Sequence, residues 1–196
     1  GYYIVGLLAQ AFLIKKSGEK IVHDPRLVWN TFDIVEQYQG IAVQSKSGHA
    51  FIKDVMREHN AVYGGEMSAH HYFRDFAYCD SGMIPWLLTI ALLSETEQSL
   101  STLVENMIAK FPCSGEINFK VADTQATVQK IFDHYADQKP LVDRTDGVSL
   151  DFGAWRLNVR ASNTEPLLRL NIESRADQNP QPMQHYVDEL TGLIQG

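Results

Sequence analysis

The sequence predicts two α/β units in series: a mixed α/β unit over residues 1–113 and a small α+β unit with an antiparallel sheet over residues 114–196. Three observations predict it. In the first stretch short β-type runs alternate with apolar residues at helical spacing, the pattern of a mainly parallel sheet covered by helices. After Phe111-Pro112-Cys113-Ser114-Gly115 the order becomes strand, helix, several strands and a closing helix, which suits an antiparallel sheet backed by helices. The 196 residues are 44% hydrophobic and 21% charged, an ordinary globular composition long enough for one large domain or two small ones.

Within the first unit, Ile4, Leu7, Leu8, Ala11 and Phe12 recur at helical spacing, so residues 2–16 read as a helix that stops at Lys15, Lys16 and Gly18. Residues 20–23 form a short β run halted by Asp24-Pro25-Arg26. A helix follows over 29–39, closed by Gly40, then a strand over 41–44. Lys46-Ser47-Gly48-His49 turns into a helix carried by Phe51, Ile52, Val55 and Met56, and residues 61–63 read as a strand. A polar, aromatic-rich loop is expected over 64–80, then helices near 83–94 and 99–110, with the Trp86–Leu92 stretch as core. In the second unit the predicted order is strand 116–121, helix 125–135, strands 147–151, 155–160 and 167–173, and helix 183–194.

A net charge of −7 argues against broad nucleic-acid binding, which needs clustered Lys and Arg, but allows a local basic loop that grips one phosphate. The apolar runs are too short for a membrane-spanning helix, and residue 1 does not open a signal peptide. Two cysteines, Cys79 and Cys113, make no disulfide framework and lack metal-ligand spacing, so a reducing cytoplasmic setting is expected. Gly1 in place of Met, directly before a helical pattern, reads either as the start of a fragment or as a tag scar.

Three strand-exit loops are rich in polar groups, two of them with glycine. Lys46-Ser47-Gly48-His49 opens a helix, where free N–H groups attract anions; a plain helix entry capped by Ser47 is the alternative. In Gly64-Gly65-Glu66-Met67-Ser68-Ala69-His70-His71, paired glycines permit tight backbone paths, Glu66 and Ser68 can bind hydroxyls, and His70 can move a proton near neutral pH. A solvated loop acid, or a metal at the paired histidines, are the other readings of that loop. Arg160-Ala161-Ser162-Asn163-Thr164-Glu165-Pro166 places a guanidinium beside three small hydrogen-bonding side chains, the chemistry of phosphate capture, against the alternative of a simple turn. Arg169 reads as a paired residue rather than a ligand.

Taken together, these motifs resemble the α-D-phosphohexomutase superfamily. Gly65-Glu66-Met67-Ser68 is similar to its sugar-recognition loop and Arg160-Ala161-Ser162-Asn163-Thr164 to its C-terminal phosphate loop. Lys46-Ser47-Gly48-His49 resembles its Lys-Thr-Gly-His segment, and Asp24-Pro25-Arg26 a third-domain loop with a basic residue. Four motifs in order cover essentially the whole chain. The resemblance implies the third and fourth of four domains, over residues 1–113 and 114–196, without the phosphoserine loop or the Asp-rich magnesium loop. Glu-Met-Ser resembles the phosphomannomutase branch, including bacterial members that feed GDP-mannose into surface polysaccharide; glucose or glucosamine phosphate mutases remain alternatives.

Ala69 stands where that family commonly has Gly. The resemblance further implies a hexose phosphate substrate, magnesium bound by the missing N-terminal domains, and a hexose 1,6-bisphosphate intermediate. By that likeness Glu66 and Ser68 bind sugar hydroxyls, while Arg160, Ser162, Asn163 and Thr164 hold the distal phosphate. Arg26, Lys46, Gly48 and His49 contact the sugar or its phosphate, and His70 is a candidate acid/base group. This chain alone is expected to be inactive, and a non-catalytic sugar-phosphate-binding module is the reading from another class.

Overall fold

The computed structural model describes residues 1–162, 165–179 and 181–196. The chain divides into two compact units, Gly1–Ile108 and Ala109–Gly196.

The first unit runs α1 (Tyr2–Lys15), β1 (Lys20–His23), α2 (Trp29–Gln37), β2 (Ile41–Gln44), α3 (His49–His59), β3 (Tyr63–Gly65), β4 (His71–Phe73), β5 (Cys79–Asp80) and α4 (Met83–Thr96), with α5 (Leu100–Lys110) last. Its sheet has the order β2-β1-β3-β4-β5. The first three strands are parallel, and β4 and β5 are added antiparallel. Alternation along the strands divides the core into two layers. Ile21, Tyr63 and Phe73 face α1 and α2 through Val5, Leu8, Leu13, Ile34 and Val35. Val22 and Tyr72 face α3 through Ile52 and Met56.

Three expectations need correction. The strand expected at 61–63 starts at Tyr63 and runs on through both glycines. A Cβ on Gly64 would stand 2.6 Å from the Met56 sulfur, and one on Gly65 would stand 2.8 Å from Val5. The two glycines therefore let α3 and α1 approach opposite faces of β3, rather than supplying an unusual backbone path. The loop expected over 64–80 folds back as β4, a 3-10 turn at Arg74–Phe76, and β5. Strands of two and three residues are too short to show alternation in a sequence rich in Tyr, Phe and His. Finally, Trp86, Leu87 and Ile90 are exposed at 56%, 55% and 44%, so the outer face of α4 is not core.

The second unit runs β6 (Cys113–Phe119), α6 (Thr124–Tyr135), β7 (Leu141–Asp143), β8 (Val148–Asp151), β9 (Trp155–Ala161), β10 (Leu168–Ser174) and α7 (Met183–Gln195). Its antiparallel sheet has the order β6-β10-β9-β8-β7. Asp123 caps α6 by accepting from the Gln125 and Ala126 amides. Leu157, Val159, Leu170 and Ile172 pack with Ile131 and Tyr135 of α6 and Leu190 of α7. The alternate residues Arg156, Asn158, Arg160, Asn171 and Glu173 are polar and also buried. Strand β7 escapes the sequence reading because it is a three-residue edge strand with Leu141 78% exposed. Strand β6 starts at Cys113, three residues before the expected start.

Candidate functional site

In the first unit, the segments that follow β1, β2 and β3 lie at the carboxyl ends of three parallel neighbours, where open α/β sheets place their ligands. The turn after β1 is built on Asp24. Its Oδ1 accepts the Arg26 backbone N–H at 3.0 Å and Nε at 3.2 Å; its Oδ2 accepts an Arg26 terminal nitrogen at 2.7 Å and the Met67 N–H at 2.7 Å. Burial opposes the Asp24 charge, yet the Arg26 guanidinium outweighs it and holds Asp24 below the ordinary Asp range. The same terminal nitrogen of Arg26 lies 3.4 Å from Ser68 Oγ and 3.8 Å from Glu66 Oε2. Arg26 thus bridges the turn after β1 to the loop after β3, and only 4% of it is exposed.

Glu66 sits at the centre. Its Oε2 accepts the Gly48 N–H at 2.8 Å and its Oε1 accepts the Tyr72 hydroxyl at 2.6 Å. Gly48, at φ +118°, is the N-cap of α3, so this bond joins the helix start to the sugar-loop candidate. Ser47 does not cap α3: Gly48 holds that position, with no side-chain cap bond. Burial, helped by the bond to Glu66, raises the Tyr72 phenol well above its ordinary range, so it remains a donor at physiological pH. A carboxylate has about four lone-pair directions. With one hydrogen bond to each oxygen, Glu66 keeps capacity for hydroxyl donors.

Ser68, Ala69 and His70 form the exposed crest of the loop. Backbone bonds close it, from Ala69 N–H to Glu66 C=O and from Glu66 N–H to His70 C=O, both 2.9 Å. Ala69 adopts φ +67°, a left-handed conformation in which a Cβ is strained. Replacing Ala69 with Gly is therefore expected to stabilise the first unit by about 0.5–1 kcal/mol in urea unfolding, with relief of strain exceeding the added chain entropy.

His70 and His71 part company at the start of β4. His70 is exposed, with Nδ1 3.7 Å from Asp80 Oδ2. His71 is buried, with Nδ1 2.7 Å from the Tyr63 hydroxyl, and burial lowers its pKa to about 4. Among the described residues no group of three or more His, Cys, Asp or Glu is placed to hold a metal ion. Lys46 and His49 are exposed where α3 begins, the Lys46 ammonium standing 5.8 Å from the Phe51 ring centre.

The second unit contributes Arg160, which lies in β9 rather than in the loop and is 4% exposed. One of its terminal nitrogens lies 3.7 Å from Glu116 Oε2, while Arg169 reaches Glu116 at 3.4 Å and Glu165 at 3.1 Å. Arg169 is paired, as its sequence context suggested. The Ser162 N–H donates to Leu167 C=O at 2.8 Å, closing the hairpin. Asn163 and Thr164 lie outside the described residues. Of the residues that organise these groups, Asp24, Asp80 and Glu116 carry no site role in the sequence reading, and Tyr72 reads as aromatic packing under the loop, with a sugar-site wall as the alternative. Asp24 lies inside a noted motif; the others are positioned by strand register.

The sequence pattern of the phosphoglucomutase/phosphomannomutase alpha/beta/alpha domain III matches residues 1–111, and that of the same family's C-terminal domain matches residues 116–190. The chain belongs to the phosphoglucomutase/phosphomannomutase family. It is 61% identical over 196 residues to a protein named "Phosphohexose mutases" of Xanthomonas campestris, covering 100% of this chain and 43% of that one. A phosphomannomutase of Vibrio cholerae is 58% identical over 195 residues, covering 99% and 42%. The chain thus spans about two fifths of the length of these relatives. The fold is shared with a family member from Burkholderia thailandensis at a TM-score of 0.73 and 24% identity, covering 99% of this chain and 42% of that one. Arg26, Gly48 and Glu66 fall in the domain III match and Arg160 in the C-terminal match.

Proposed function

We propose that this chain supplies the sugar- and phosphate-holding half of a phosphomannomutase that interconverts mannose 6-phosphate and mannose 1-phosphate. The observation that carries the reading is Glu66, a buried carboxylate fixed by the Gly48 amide, the Tyr72 phenol and nearby Arg26 beside the exposed Ser68 and His70. The name of the Vibrio cholerae relative supports mannose phosphate as the substrate.

A mutase that moves a phosphoryl group between two positions of one sugar must hold that sugar in two orientations. Fixed hydroxyl acceptors and a separate anchor for the non-reacting phosphate suit that task, since such transfer depends mainly on positioning and charge stabilisation. In this chain Glu66 and Ser68 hold sugar hydroxyls, and Arg26 keeps both in place from below. Lys46 and His49 add positive charge and donors at the start of α3, with the Gly48 amide committed to Glu66. His70 holds or releases the proton of the reacting hydroxyl. Arg160, with Ser162, Asn163 and Thr164, anchors the distal phosphate.

By the resemblance magnesium would be held by the family's N-terminal domains rather than by residues of this chain, and the Asp24 oxygens here serve Arg26 and Met67. No step is assigned to a metal in this chain. A hexose 1,6-bisphosphate intermediate would present one phosphate to the Arg160 loop while the other reacts.

An NMR titration of this chain with mannose 1-phosphate, with mannose and inorganic phosphate as controls, tests the reading. Amides near 46–49, 66–70 and 160–164 should shift together. A response confined to 160–164 and matched by phosphate alone would leave only an anion pocket. Arg160→Ala should weaken mannose 1-phosphate binding by about 1.5–3 kcal/mol, the scale of a lost charged hydrogen bond. Unchanged affinity would remove Arg160 from the site.

A further inference from the structure

We propose that Asp80 is the positioning residue for His70, holding its imidazole so that Nε2 is the atom that exchanges the proton with substrate. This rests on the mutase reading of the same site and names a residue to which neither the motifs nor the family match assigns a role.

The sheet register brings the two residues together. β5 pairs with β4 so that Asp80 stands directly across from Tyr72, and directly opposed residues of an antiparallel pair share a face. Tyr72 faces α3, and its hydroxyl binds Glu66. Asp80 therefore stands beside the residue that fixes Glu66, on the face where the loop brings down His70. The two carboxylate oxygens of Asp80 serve different cations. Oδ2 lies 3.7 Å from His70 Nδ1, and Oδ1 lies 3.7 Å from Lys53 Nζ on α3. Lys53 is itself located by the Tyr72 ring, 5.8 Å from its centre. The Ser81 N–H donates to His71 C=O at 3.1 Å and secures β5 where the carboxylate is needed.

A carboxylate beside Nδ1 favours the tautomer with the proton on Nδ1, which leaves the Nε2 lone pair for a hydroxyl proton. It also stabilises the imidazolium formed when that proton arrives. At 3.7 Å the contact is an ion pair rather than a hydrogen bond. His70 and Asp80 are both substantially exposed, with side chains 58% and 46% accessible, so the effect on the ring is solvent-screened and moderate. Charged or titratable groups near this loop include Lys53 from α3, which reaches Asp80, His71 at the head of β4, and the Gly1 amino group, which acts on His71 from beside Met67 and Ala69. Lys53 opposes the imidazolium, and Asp80 lies between the two cations.

The test is an NMR titration of the His70 ring in this chain and in its Asp80→Asn, Asp80→Glu and Lys53→Met variants. Asp80→Asn should shift the neutral ring away from the Nδ1–H tautomer, read from its nitrogen shifts, and Asp80→Glu should restore most of that balance. Lys53→Met, which leaves Asp80 to His70, should strengthen the Nδ1–H preference. In a protein of the relatives' full length, Asp80→Asn should lower kcat while leaving KM nearly unchanged, and Asp80→Glu should recover part of it. A His70 tautomer balance that does not move in Asp80→Asn would overturn the proposal, with the Tyr72 amide shift verifying that β4 is intact. Failure of the mutase reading is seen separately, as a parent chain whose amides ignore mannose 1-phosphate while His70 still titrates.

Discussion

Arg26→Met should destabilise the first unit at pH 7 by about 3–5 kcal/mol, the usual cost of removing one partner from a buried ion pair. Asp24 is 2% exposed, and the substitution removes its two guanidinium bonds while leaving the amides of Arg26 and Met67. Protonation of Asp24 offers an escape that limits the loss. Forcing a group of ordinary pKa 3.8 to be neutral at pH 7 costs about 4 kcal/mol, and that limit falls by about 1.4 kcal/mol for each unit of lower pH.

The sign follows from linkage. In the parent, Asp24 is held below 3.8, so its contribution is complete above that value and fades as pH falls further. In the variant burial acts on Asp24 without the opposing guanidinium and raises its pKa, so the variant regains stability as pH falls, and the gap between the two unfolding curves should narrow from pH 7 to pH 4. Arg26→Met combined with Asp24→Asn should recover part of the stability, because no buried charge is left alone. Urea unfolding followed by amide signals of β1 and β3 measures all three. A loss below about 1 kcal/mol in the single variant would mean that solvent or another cation compensates Asp24. The same substitution should loosen Ser68 and Glu66, which Arg26 approaches at 3.4 and 3.8 Å.

How much of this was legible in the sequence depends on the range of the interaction. Long elements such as α1 and β9 declare themselves, because apolar residues repeat over several turns or pleats. The loops were legible as chemistry: Glu66, Ser68 and the helix start at Gly48 stand out by residue type near glycine, and Arg160 by the small polar residues that follow it. What those residues do to one another was not legible. The bond from the Gly48 amide to Glu66 spans 18 positions and that from the Met67 amide to Asp24 spans 43, and only the parallel order of β2, β1 and β3 makes them neighbours. The resemblance gave Arg26 a contact to the sugar or its phosphate, and its pairing with Asp24 could not be read from the sequence. Gly64 and Gly65 looked like loop glycines, but the approach of α3 and α1 requires them. Asp80 carried no signal, because its significance comes from standing opposite Tyr72 in a strand of two residues.

The second large effect belongs to the other unit. Glu173→Leu should cost about 3–5 kcal/mol, and unlike the loss at Arg26 it should be nearly independent of pH between about 5 and 9. Glu173 and Arg156 stand directly opposite each other on β10 and β9, 0% and 4% exposed, with Arg156 NH1 2.8 Å from Glu173 Oε1. Removing the carboxylate takes from the buried guanidinium its 2.8 Å acceptor, and a guanidinium cannot give up its proton in this range, so it has no neutral form to retreat to. The contrast with Asp24 is one of chemistry rather than geometry: both pairs are buried, but only the carboxylate left behind can neutralise itself. Glu173→Gln keeps an acceptor of the same shape beside Arg156 and should lose less, about 1.5–3 kcal/mol, the value of a charged hydrogen bond. Trp155, next to Arg156 and stacked on Phe152 and Tyr186, reports unfolding of this unit by fluorescence. If the Glu173→Leu loss instead shrinks toward pH 5 as steeply as the Arg26→Met loss, a carboxylate whose protonation relieves the strain has to be involved. The polar row of Arg156, Asn158 and Arg160 would then be held by a different set of charges from the pair assigned here.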